Sequence, residues 1–350
     1  MPAGIKYPVT WLLLVLTLSA CSHPRIQAPA ATPGYHATLG VDSVVMADGY
    51  KLPMKVWPAK SGPVAIVLAL HGFNDYSNAF DAVGKTFASD LITTYAIDQR
   101  GFGATEQRGI WAGHDIMHAD FLTTASLLCQ QHPGVPLFLL GESMGGAVIL
   151  SAARQLESGC IQGVILSAPA VWGWQTMPWW QTVSLRLLAH TFPGNTVTGE
   201  NLDITPSDND EMLRALGRDP LIIKQTRIDA LYGLTDLMEA ALVDSSALKI
   251  PALILYGEHD EIIPPEPFCR MVNNLPTRAM SSWRLVLYPD GYHMLPRDLQ
   301  GEVVMRDMIT WIHNRGAALP SNQELLEDAS RLSALEGCDD LQKFSNAAGQ

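Results

Sequence analysis

The stretch PLFLLGESMGGAVILSAARQ, residues 136–155, decides the fold. An apolar run ends at Leu140, a serine flanked by glycines follows at Ser143, and a helix-like segment begins at Ala147. A strand, a sharp turn and a helix in this order place the serine hydroxyl at the edge of a sheet, and the glycines let neighbouring backbone pass without a Cβ clash. The pattern predicts that Ser143 is a nucleophile; the alternative is a serine that only caps a helix.

A serine needs partners, because its hydroxyl is a weak nucleophile at neutral pH. A base must take its proton, and a third group must orient that base. In this strand-turn-helix setting, the acid and the histidine follow the serine along the chain, each beyond a later strand. Asp260 follows the apolar run Ala252–Tyr256, and His293 follows Arg284–Tyr288. We therefore expect Ser143, Asp260 and His293 to form a catalytic triad at the carboxyl ends of the strands.

Other acids and histidines lie close to these positions in the sequence. Glu258 and Asp290 are second choices for the acid, and His259 is expected to be a loop residue, because adjacent side chains diverge. His114 and His118 have helical spacing, but no third ligand is evident beside them. The sequence therefore predicts neither a metal site nor a cofactor.

The oxyanion that develops during acyl transfer needs N–H donors. Such donors come from the residue after the nucleophile and from the loop after an earlier strand. Met144 follows the nucleophile, and the motif His71-Gly72-Phe73 follows the apolar run 64–70. We expect the backbone N–H groups of Phe73 and Met144 to form the oxyanion hole, and His71 to brace the loop. The alternative for this motif is a plain turn after a strand.

Short apolar runs alternate with helix-like stretches after a hairpin signal with Asp-Gly at its turn, residues 43–57. The runs are Val64–Leu70, Leu91–Ile97, Val135–Leu140, Ile161–Leu166, Ala252–Tyr256 and Arg284–Tyr288. This alternation predicts an α/β fold with a mostly parallel central sheet that is flanked by helices. About eighty residues, 171–250, stand where a βα connection needs roughly 2 to 6, so an inserted helical cap is expected there.

The predicted core thus comprises residues 41–170 and 251–315, and residues 316–350 form a C-terminal extension. Leucines recur at near-helical spacing over residues 321–335. Three roles stay open for the extension: it docks on the domain, covers the edge of the sheet, or contacts a partner.

Composition narrows the classes of function. The 350 residues are 47% hydrophobic and 17% charged, which excludes a disordered chain. The formal net charge is −12, and no run of lysine or arginine occurs. The chain therefore offers nothing to neutralise a phosphate backbone, and we expect no nucleic-acid partner.

The N-terminus has the pattern of an export signal. An apolar stretch, Val9–Ala20, follows Lys6 and ends in Leu-Ser-Ala before Cys21. It is too short to span a bilayer, and its end resembles the lipobox of bacterial lipoproteins. This resemblance implies a signal peptide over residues 1–20, lipidation of Cys21 and a tether over residues 21–40. Ser22 then favours a location in the bacterial cell envelope, anchored in the outer membrane and facing the periplasm. The alternative is an ordinary secretory signal.

Export also bears on the remaining cysteines, which are Cys129, Cys160, Cys269 and Cys338. Four cysteines in an oxidising compartment allow one or two disulfides, with three ways of forming two. Four isolated buried thiols are the alternative.

With these motifs in view, the chain resembles the α/β-hydrolase superfamily. Within it, the chain is similar to the monoacylglycerol lipase and lysophospholipase-like branch, which includes serine aminopeptidase-type hydrolases. Motifs at residues 71–73, 98–103, 141–146 and 292–295 match in order, and the likeness covers residues 41–315. It implies the triad and the oxyanion hole named above, and structural roles for Asp98 and Arg100. Residues 74–76, Asn-Asp-Tyr, depart from the Gly-Glu-His that is common after the first motif, and Thr105 replaces a usual serine.

A serine at this place predicts attack on an ester, thioester or amide, since relatives that act on halides or epoxides use an aspartate. The resemblance implies a serine hydrolase that cleaves carboxylic esters through an acyl-enzyme on Ser143, with lipid esters such as monoacylglycerols or lysophospholipids as substrates. Alternatives are a cell-envelope acyltransferase that uses the same triad, a non-catalytic envelope lipoprotein, and a peptidase. The predicted cap holds four of the nine tryptophans, which suits a membrane interface, an acyl tunnel or a small interhelical core.

Overall fold

The computed structural model describes residues 23–28, 34–199, 203–277 and 282–325, together with Ser333, Leu335 and Cys338. The predicted signal peptide and the predicted lipidation site, Cys21, lie outside these residues. None of the helices in the described ranges combines the length and the hydropathy that crossing a bilayer requires.

The central feature is a nine-stranded sheet. Its strands are β1 (Thr38–Leu39), β2 (Ser43–Val45), β3 (Lys51–Trp57), β4 (Ala65–Leu70), β5 (Ile92–Ile97), β6 (Leu137–Glu142), β7 (Ile161–Ser167), β10 (Ala252–Gly257) and β11 (Trp283–Tyr288). They lie in the order β1-β2-β3-β5-β4-β6-β7-β10-β11. The first three strands pair antiparallel, β3 also pairs antiparallel with β5, and all the other neighbours are parallel. A separate small sheet pairs β8 (Thr196–Val197) with β9 (Thr226–Arg227).

Helices connect the strands and cover both faces of the sheet. They are α1 (Asp81–Ser89), α2 (His114–Gln131), α3 (Met144–Ser151), α4 (Trp179–Thr191), α5 (Asp210–Arg218), α6 (Ile228–Asp244), α7 (Pro265–Asn274) and α8 (Gly301–His313). Short 3-10 turns lie at Ser77–Phe80, Ala153–Gln155, Ser245–Ala247 and Leu295–Arg297. The predicted α/β fold with a mostly parallel central sheet is confirmed.

Alternate residues of the buried strands face two different cores. On β4, Leu68 and Leu70 join a core that is closed by helices α2, α3, α6 and α7. Val67 and Ala69 point the other way, into a core that α1 and α8 close with residues such as Trp311. Because both faces are covered, β4, β5 and β6 are buried along their whole length, and most of their side chains are apolar.

The segment between β7 and β10 contains α4, α5, α6 and the small sheet. Helix α6 packs against α3, the helix that begins directly after Ser143. Gly233 permits a close approach of α6 to Trp111, because a Cβ at this position would lie 2.3 Å from the indole ring. The inserted residues thus lie over the turn that carries Ser143.

The described part of the predicted tether is fixed to the folded body. Ile26 forms a β-bridge with Trp111, and the Gln27 backbone N–H donates to the Trp111 carbonyl at 2.9 Å. The Arg25 backbone N–H donates to the Asp229 carboxylate at 3.1 Å, near the start of α6. Residues 25–27 of the predicted tether are therefore part of the folded body.

The C-terminal extension covers the edge of the sheet at β11. The Leu325 N–H donates to the Leu285 carbonyl at 2.8 Å, and Glu324 forms an antiparallel bridge with Val286. Glu324 also pairs with Arg284. Residues 321–325 are not helical, and the backbone of residues 323–325 pairs with the strand. Residues 326–332 lie outside the described part.

Two disulfides resolve the alternatives that the cysteine pattern left open. Cys129 at the end of α2 is bonded to Cys160 just before β7. Cys269 in α7 is bonded to Cys338 in the extension, across a sequence separation of 69 residues. The second bridge therefore ties the extension to the core.

Loss of the Cys269–Cys338 bridge should destabilise the protein. Bridging residues that are 69 apart restricts the unfolded chain, and we expect Cys338→Ala to lower the free energy of unfolding by about 2–4 kcal/mol. Equilibrium urea unfolding measures this value, with Cys129→Ala/Cys160→Ala as the common background. In this double variant, which keeps the Cys269–Cys338 bridge, dithiothreitol should lower the urea midpoint. In the triple variant that also carries Cys338→Ala, dithiothreitol should leave the urea midpoint unchanged. Equal midpoints with and without the bridge would contradict the expectation.

Candidate active site

Ser143 occupies a strained turn between β6 and α3. Its φ is 52° and its ψ is −116°, a combination that side-chain-bearing residues rarely adopt. A Cβ at Gly145 would lie 1.9 Å from the Leu70 carbonyl oxygen, and one at Gly141 would lie 2.5 Å from the Gly146 nitrogen. The glycines on both sides are therefore required for the turn to fit against β4.

Asp260 and His293 meet beyond the ends of β10 and β11. His293 Nδ1 lies 2.8 Å from Asp260 Oδ2, and both side chains are buried. The other carboxylate oxygen accepts the backbone N–H groups of Ile262 and Ile263, each at 2.9 Å. The two loops approach closely because Gly257 has no Cβ, which would lie 2.3 Å from the Gly291 carbonyl. The carboxylate is thus oriented from both sides and holds the Nδ1–H tautomer of the imidazole.

The pKa of His293 reflects opposing causes. Burial lowers it, but the charge and the hydrogen bond of Asp260, together with the charge of Glu142, outweigh burial and raise it above 6.5. Arg297 acts in the opposite direction and lowers it. A single imidazole thus responds to two carboxylates and one guanidinium.

Ser143, His293 and Phe73 line one cavity of about 600 Å³. A Cβ at Gly72 would lie 3.3 Å from the Ser143 Cβ, so the loop that carries Phe73 runs directly beside the serine. Met144 follows the serine as the first residue of α3 and is fully buried. The structure thus brings together the five residues that the sequence nominated, with Asp260 behind His293.

The other acids and histidines that the sequence offered as candidates have other surroundings in the structure. Of the three candidate acids, Asp260 is the one whose hydrogen bond to His293 the structure shows. His259 packs edge-on against Tyr292. His71 is fully buried, donates from Nδ1 to the Gly72 carbonyl at 2.8 Å and accepts the Gln99 N–H at Nε2, so it braces the loop. Burial lowers the pKa of His71.

The other histidine pair that the sequence singled out lies on α2. His118 hydrogen-bonds to Ser151 at 2.7 Å, and burial lowers its pKa to about 4. Within the ranges that the structure describes, no group of three histidine, cysteine or acidic side chains is arranged to hold a metal ion.

Asp98 and Arg100, after β5, tie loops together. Asp98 accepts the backbone N–H groups of Ser77 and Ala104 at 2.9 and 2.8 Å. Arg100 is buried and pairs with Asp48 and Asp120. These contacts stabilise the loops around the cavity without facing it.

A buried ion-pair network near the serine was not anticipated from the sequence. Arg297 pairs with Asp75 at 2.7 Å and with Glu142, and all three side chains are buried. Glu142 stands directly before Ser143, and Arg297 follows His293 by four positions. These short spacings are the signal that sequence reasoning could have used, although only the fold reveals that the charges meet.

The inserted segment contributes a mostly apolar part of the cavity lining. Its apolar side chains include Trp172, Met177, Leu185, Val197, Ile204, Leu231, Leu234 and Met238, and Thr198, Thr226 and Thr235 add hydroxyl groups. The tryptophans have separate environments: Trp172 lines the cavity, Trp174 donates to Asp236 and contacts Tyr232, and Trp179 and Trp180 are exposed. An acyl chain in this cavity would contact hydrocarbon along most of its length.

The inserted segment is also hydrogen-bonded to the loop that carries His293. The Met294 N–H donates to the Pro206 carbonyl at 3.1 Å, and the Asn209 side chain donates to the Arg297 carbonyl at 2.9 Å. Ser207 donates to Asp298 at 2.5 Å. The position of this loop is therefore linked to that of the inserted segment.

Known proteins with similar sequences span most of the chain. A monoacylglycerol lipase of Mycolicibacterium smegmatis is 26% identical over 290 residues, which cover 81% of this chain and 98% of the relative. The human monoglyceride lipase is 24% identical over 307 residues, which cover 84% of this chain and 97% of the relative.

Solved structures agree on the fold. A soluble variant of the Saccharomyces cerevisiae monoglyceride lipase, in complex with a substrate analogue, superposes with a TM-score of 0.64 at 23% identity. The match covers 84% of this chain and all of that one. The monoacylglycerol lipase of Paleococcus ferrophilus gives a TM-score of 0.63 at 22% identity, over 75% of this chain and 98% of that one.

The model of one family spans more than half of the chain. Residues 61–300 match the family described as serine aminopeptidase, S33. The resemblance that the motifs indicated is thereby confirmed. The chain belongs to the serine aminopeptidase S33 family of α/β-hydrolases, in the branch that resembles monoacylglycerol lipases.

Proposed function

We propose that this protein hydrolyses the carboxylic ester of a neutral lipid of the monoacylglycerol type, through an acyl-enzyme on Ser143. The observation that carries the proposal is the Asp260–His293 hydrogen bond, 2.8 Å long, at a cavity that His293 and Ser143 both line. An ester hydrolase that acts on lipids is also what the related monoacylglycerol lipases indicate.

In this proposal His293 Nε2 takes the proton of the Ser143 hydroxyl as the oxygen attacks the ester carbonyl. Asp260 accepts the Nδ1–H bond and stabilises the imidazolium that forms. The backbone N–H groups of Phe73 and Met144 stabilise the oxyanion. The imidazolium then protonates the departing alcohol, and a water molecule, deprotonated by the same imidazole, releases the fatty acid from the serine.

The charges around the cavity favour a neutral head group. Arg297 is the cation among the described lining residues besides the imidazole, and it is already paired with Asp75 and Glu142. Glu261 adds another carboxylate to the lining. A lysophospholipid phosphate would meet net negative charge, whereas a glycerol head group carries none. We therefore favour monoacylglycerols over lysophospholipids, although a phospholipase of Bacillus subtilis is among the relatives.

We further propose the location in the cell envelope that the sequence predicts, with Cys21 lipidated in the outer membrane and the protein facing the periplasm. The two disulfides support export, because such bonds persist in oxidising compartments.

The exposed face of helix α4 supports the proposal that a lipid surface is a partner of the protein. Its exposed apolar side chains include Trp179, which is 77% exposed, with Trp180, Val183, Leu187 and the following Phe192. Such a face suits the interface of a bilayer. The Asp229 N–H donates to the Pro193 carbonyl, and the Asp229 carboxylate accepts the Arg25 N–H. The N-terminal chain therefore enters the folded body beside the end of this face.

Substitution of the proposed nucleophile tests the activity. Ser143→Ala should reduce kcat/KM for a long-chain monoacylglycerol by roughly 10⁴- to 10⁶-fold, because no nucleophile remains. Fluorophosphonate should label the wild type and not the variant. Turnover that survives in purified Ser143→Ala would refute the assignment.

The same assay distinguishes substrate classes. With equal acyl chains, a monoacylglycerol should exceed lysophosphatidic acid by at least about tenfold in kcat/KM, since like charges oppose binding of the phosphate. Faster cleavage of an aminoacyl anilide would favour a peptidase. Preferential transfer of the acyl group to an added alcohol would favour an acyltransferase.

The pH dependence should reveal the raised pKa of His293. A general base must be neutral, so kcat/KM should fall on the acid side with a midpoint above pH 6.5. Asp260→Asn removes the carboxylate charge that raises the pKa, so the midpoint should move to lower pH while kcat falls by roughly 10⁴-fold. Profiles with a soluble short-chain ester measure both effects. A midpoint that Asp260→Asn leaves unchanged would contradict the role of His293.

Lipidation of Cys21 predicts the behaviour of Cys21→Ser. The wild type should incorporate labelled palmitate and sediment with outer membranes, whereas Cys21→Ser should do neither, because the thiol that receives lipid is gone. The Cys338→Ala variant is the matched control, since it removes a different cysteine. Equal incorporation of palmitate into Cys21→Ser would exclude the anchor at this position.

A further inference from the structure

The network of Arg297, Asp75 and Glu142 joins three segments that carry residues of the proposed reaction. Asp75 lies two residues after Phe73, on the loop beside the serine. Glu142 is the last residue of β6 and precedes Ser143. Arg297 ends the short 3-10 turn that begins two residues after His293.

The contacts of Arg297 are directional. Nη1 donates to Asp75 Oδ2 at 2.7 Å, and Nη2 donates to Glu142 Oε1. A planar guanidinium fixes the angle between its two partners, which the single ammonium of a lysine cannot do. Because Asp75 lies on the loop after β4 and Glu142 ends β6, the two donors of Arg297 connect these two segments.

The backbone of Arg297 continues this linkage toward the histidine. Its N–H donates to the Met294 carbonyl at 2.7 Å, which closes the turn after His293. The neighbouring Asp298 accepts the Tyr292 N–H at 2.8 Å. His293 thus lies between residues whose backbones are fixed by the same short turn.

We propose that Arg297 is a positioning residue, which holds the loop of Phe73, the turn of Ser143 and the loop of His293 in one reactive arrangement. This inference rests on the proposed function. Arg297 is not assigned a proton-transfer step, because its guanidinium is buried and its Nη1 and Nη2 groups donate to the carboxylates of Asp75 and Glu142. Its effect is exerted through the residues that it connects.

The charge of Arg297 has a second, separable effect. The charged groups that act on the imidazole of His293 are Asp260, Glu142 and Arg297. Loss of the guanidinium leaves the carboxylates unopposed, so the pKa of His293 rises further. A lysine keeps this charge and loses the fork.

Two substitutions therefore separate geometry from charge. Arg297→Gln should lower kcat for a soluble short-chain ester by roughly 10- to 100-fold with little change in KM, since small misplacements of reacting groups are costly. The acid-side midpoint of its kcat/KM profile should move to higher pH. Arg297→Lys should also lower kcat, but the acid-side midpoint of its kcat/KM profile should stay near that of the wild type. Exhaustive fluorophosphonate titration counts the folded sites in each preparation.

The matched control is Arg284→Gln, which removes another arginine–carboxylate pair, with Glu324 at the edge of the sheet. It should leave kcat and the pH profile unchanged. Wild-type kcat in both Arg297 variants, with Ser143→Ala inactive, would overturn the positioning role and leave the proposed function intact. A loss confined to KM for anionic esters would overturn it as well, in favour of substrate binding. If Arg297→Gln does not fold, kcat of Arg297→Lys decides alone: a value equal to the wild type contradicts the proposal.

An activity that persists in Ser143→Ala would instead overturn the proposed function. The positioning role of Arg297 would then lose its basis. Failure of the proposed function and failure of the positioning role are thus distinguished by the same set of assays.

Discussion

The backbone at Ser143 is the constraint on which the site depends. A left-handed φ at a residue with a side chain is unfavourable by about 1–3 kcal/mol, and it persists only where the surroundings leave no alternative. Here the surroundings are backbone atoms: the Leu70 carbonyl leaves no room for a Cβ at Gly145. The parallel pairing of β4 with β6 fixes that carbonyl, so the sheet itself determines where the serine points.

Charge is distributed unevenly around this turn. Behind the imidazole, Asp260 has both oxygens occupied, and beneath the serine Glu142 shares Arg297 with Asp75. Buried carboxylates are tolerated only when donors or cations compensate them. The site therefore combines a charged region around Arg297 with a mostly apolar lining from the inserted segment. An ester would have its carbonyl beside Ser143 and its hydrocarbon along the apolar lining.

The sequence predicted the parts of this site that follow from local motifs and from the positions of strand ends. A strand-turn-helix motif identifies Ser143, and the ends of later strands identify Asp260 and His293, because parallel strands bring their carboxyl ends together. The Asp75–Arg297 contact could not be predicted, since 222 positions separate two charges that no local pattern connects. The role of the extension stayed open for a related reason. Leucine spacing alone does not reveal that the backbone of residues 323–325 pairs with β11.

The covered edge of β11 bears on association between molecules through their sheets. A bare outer strand offers unpaired amide and carbonyl groups to which a neighbouring chain can add. Residues 323–325 occupy those groups, and the bridge to Cys338 keeps the segment tied to the domain. A strand from a second molecule could therefore pair with this part of β11 only after residues 323–325 had separated from it.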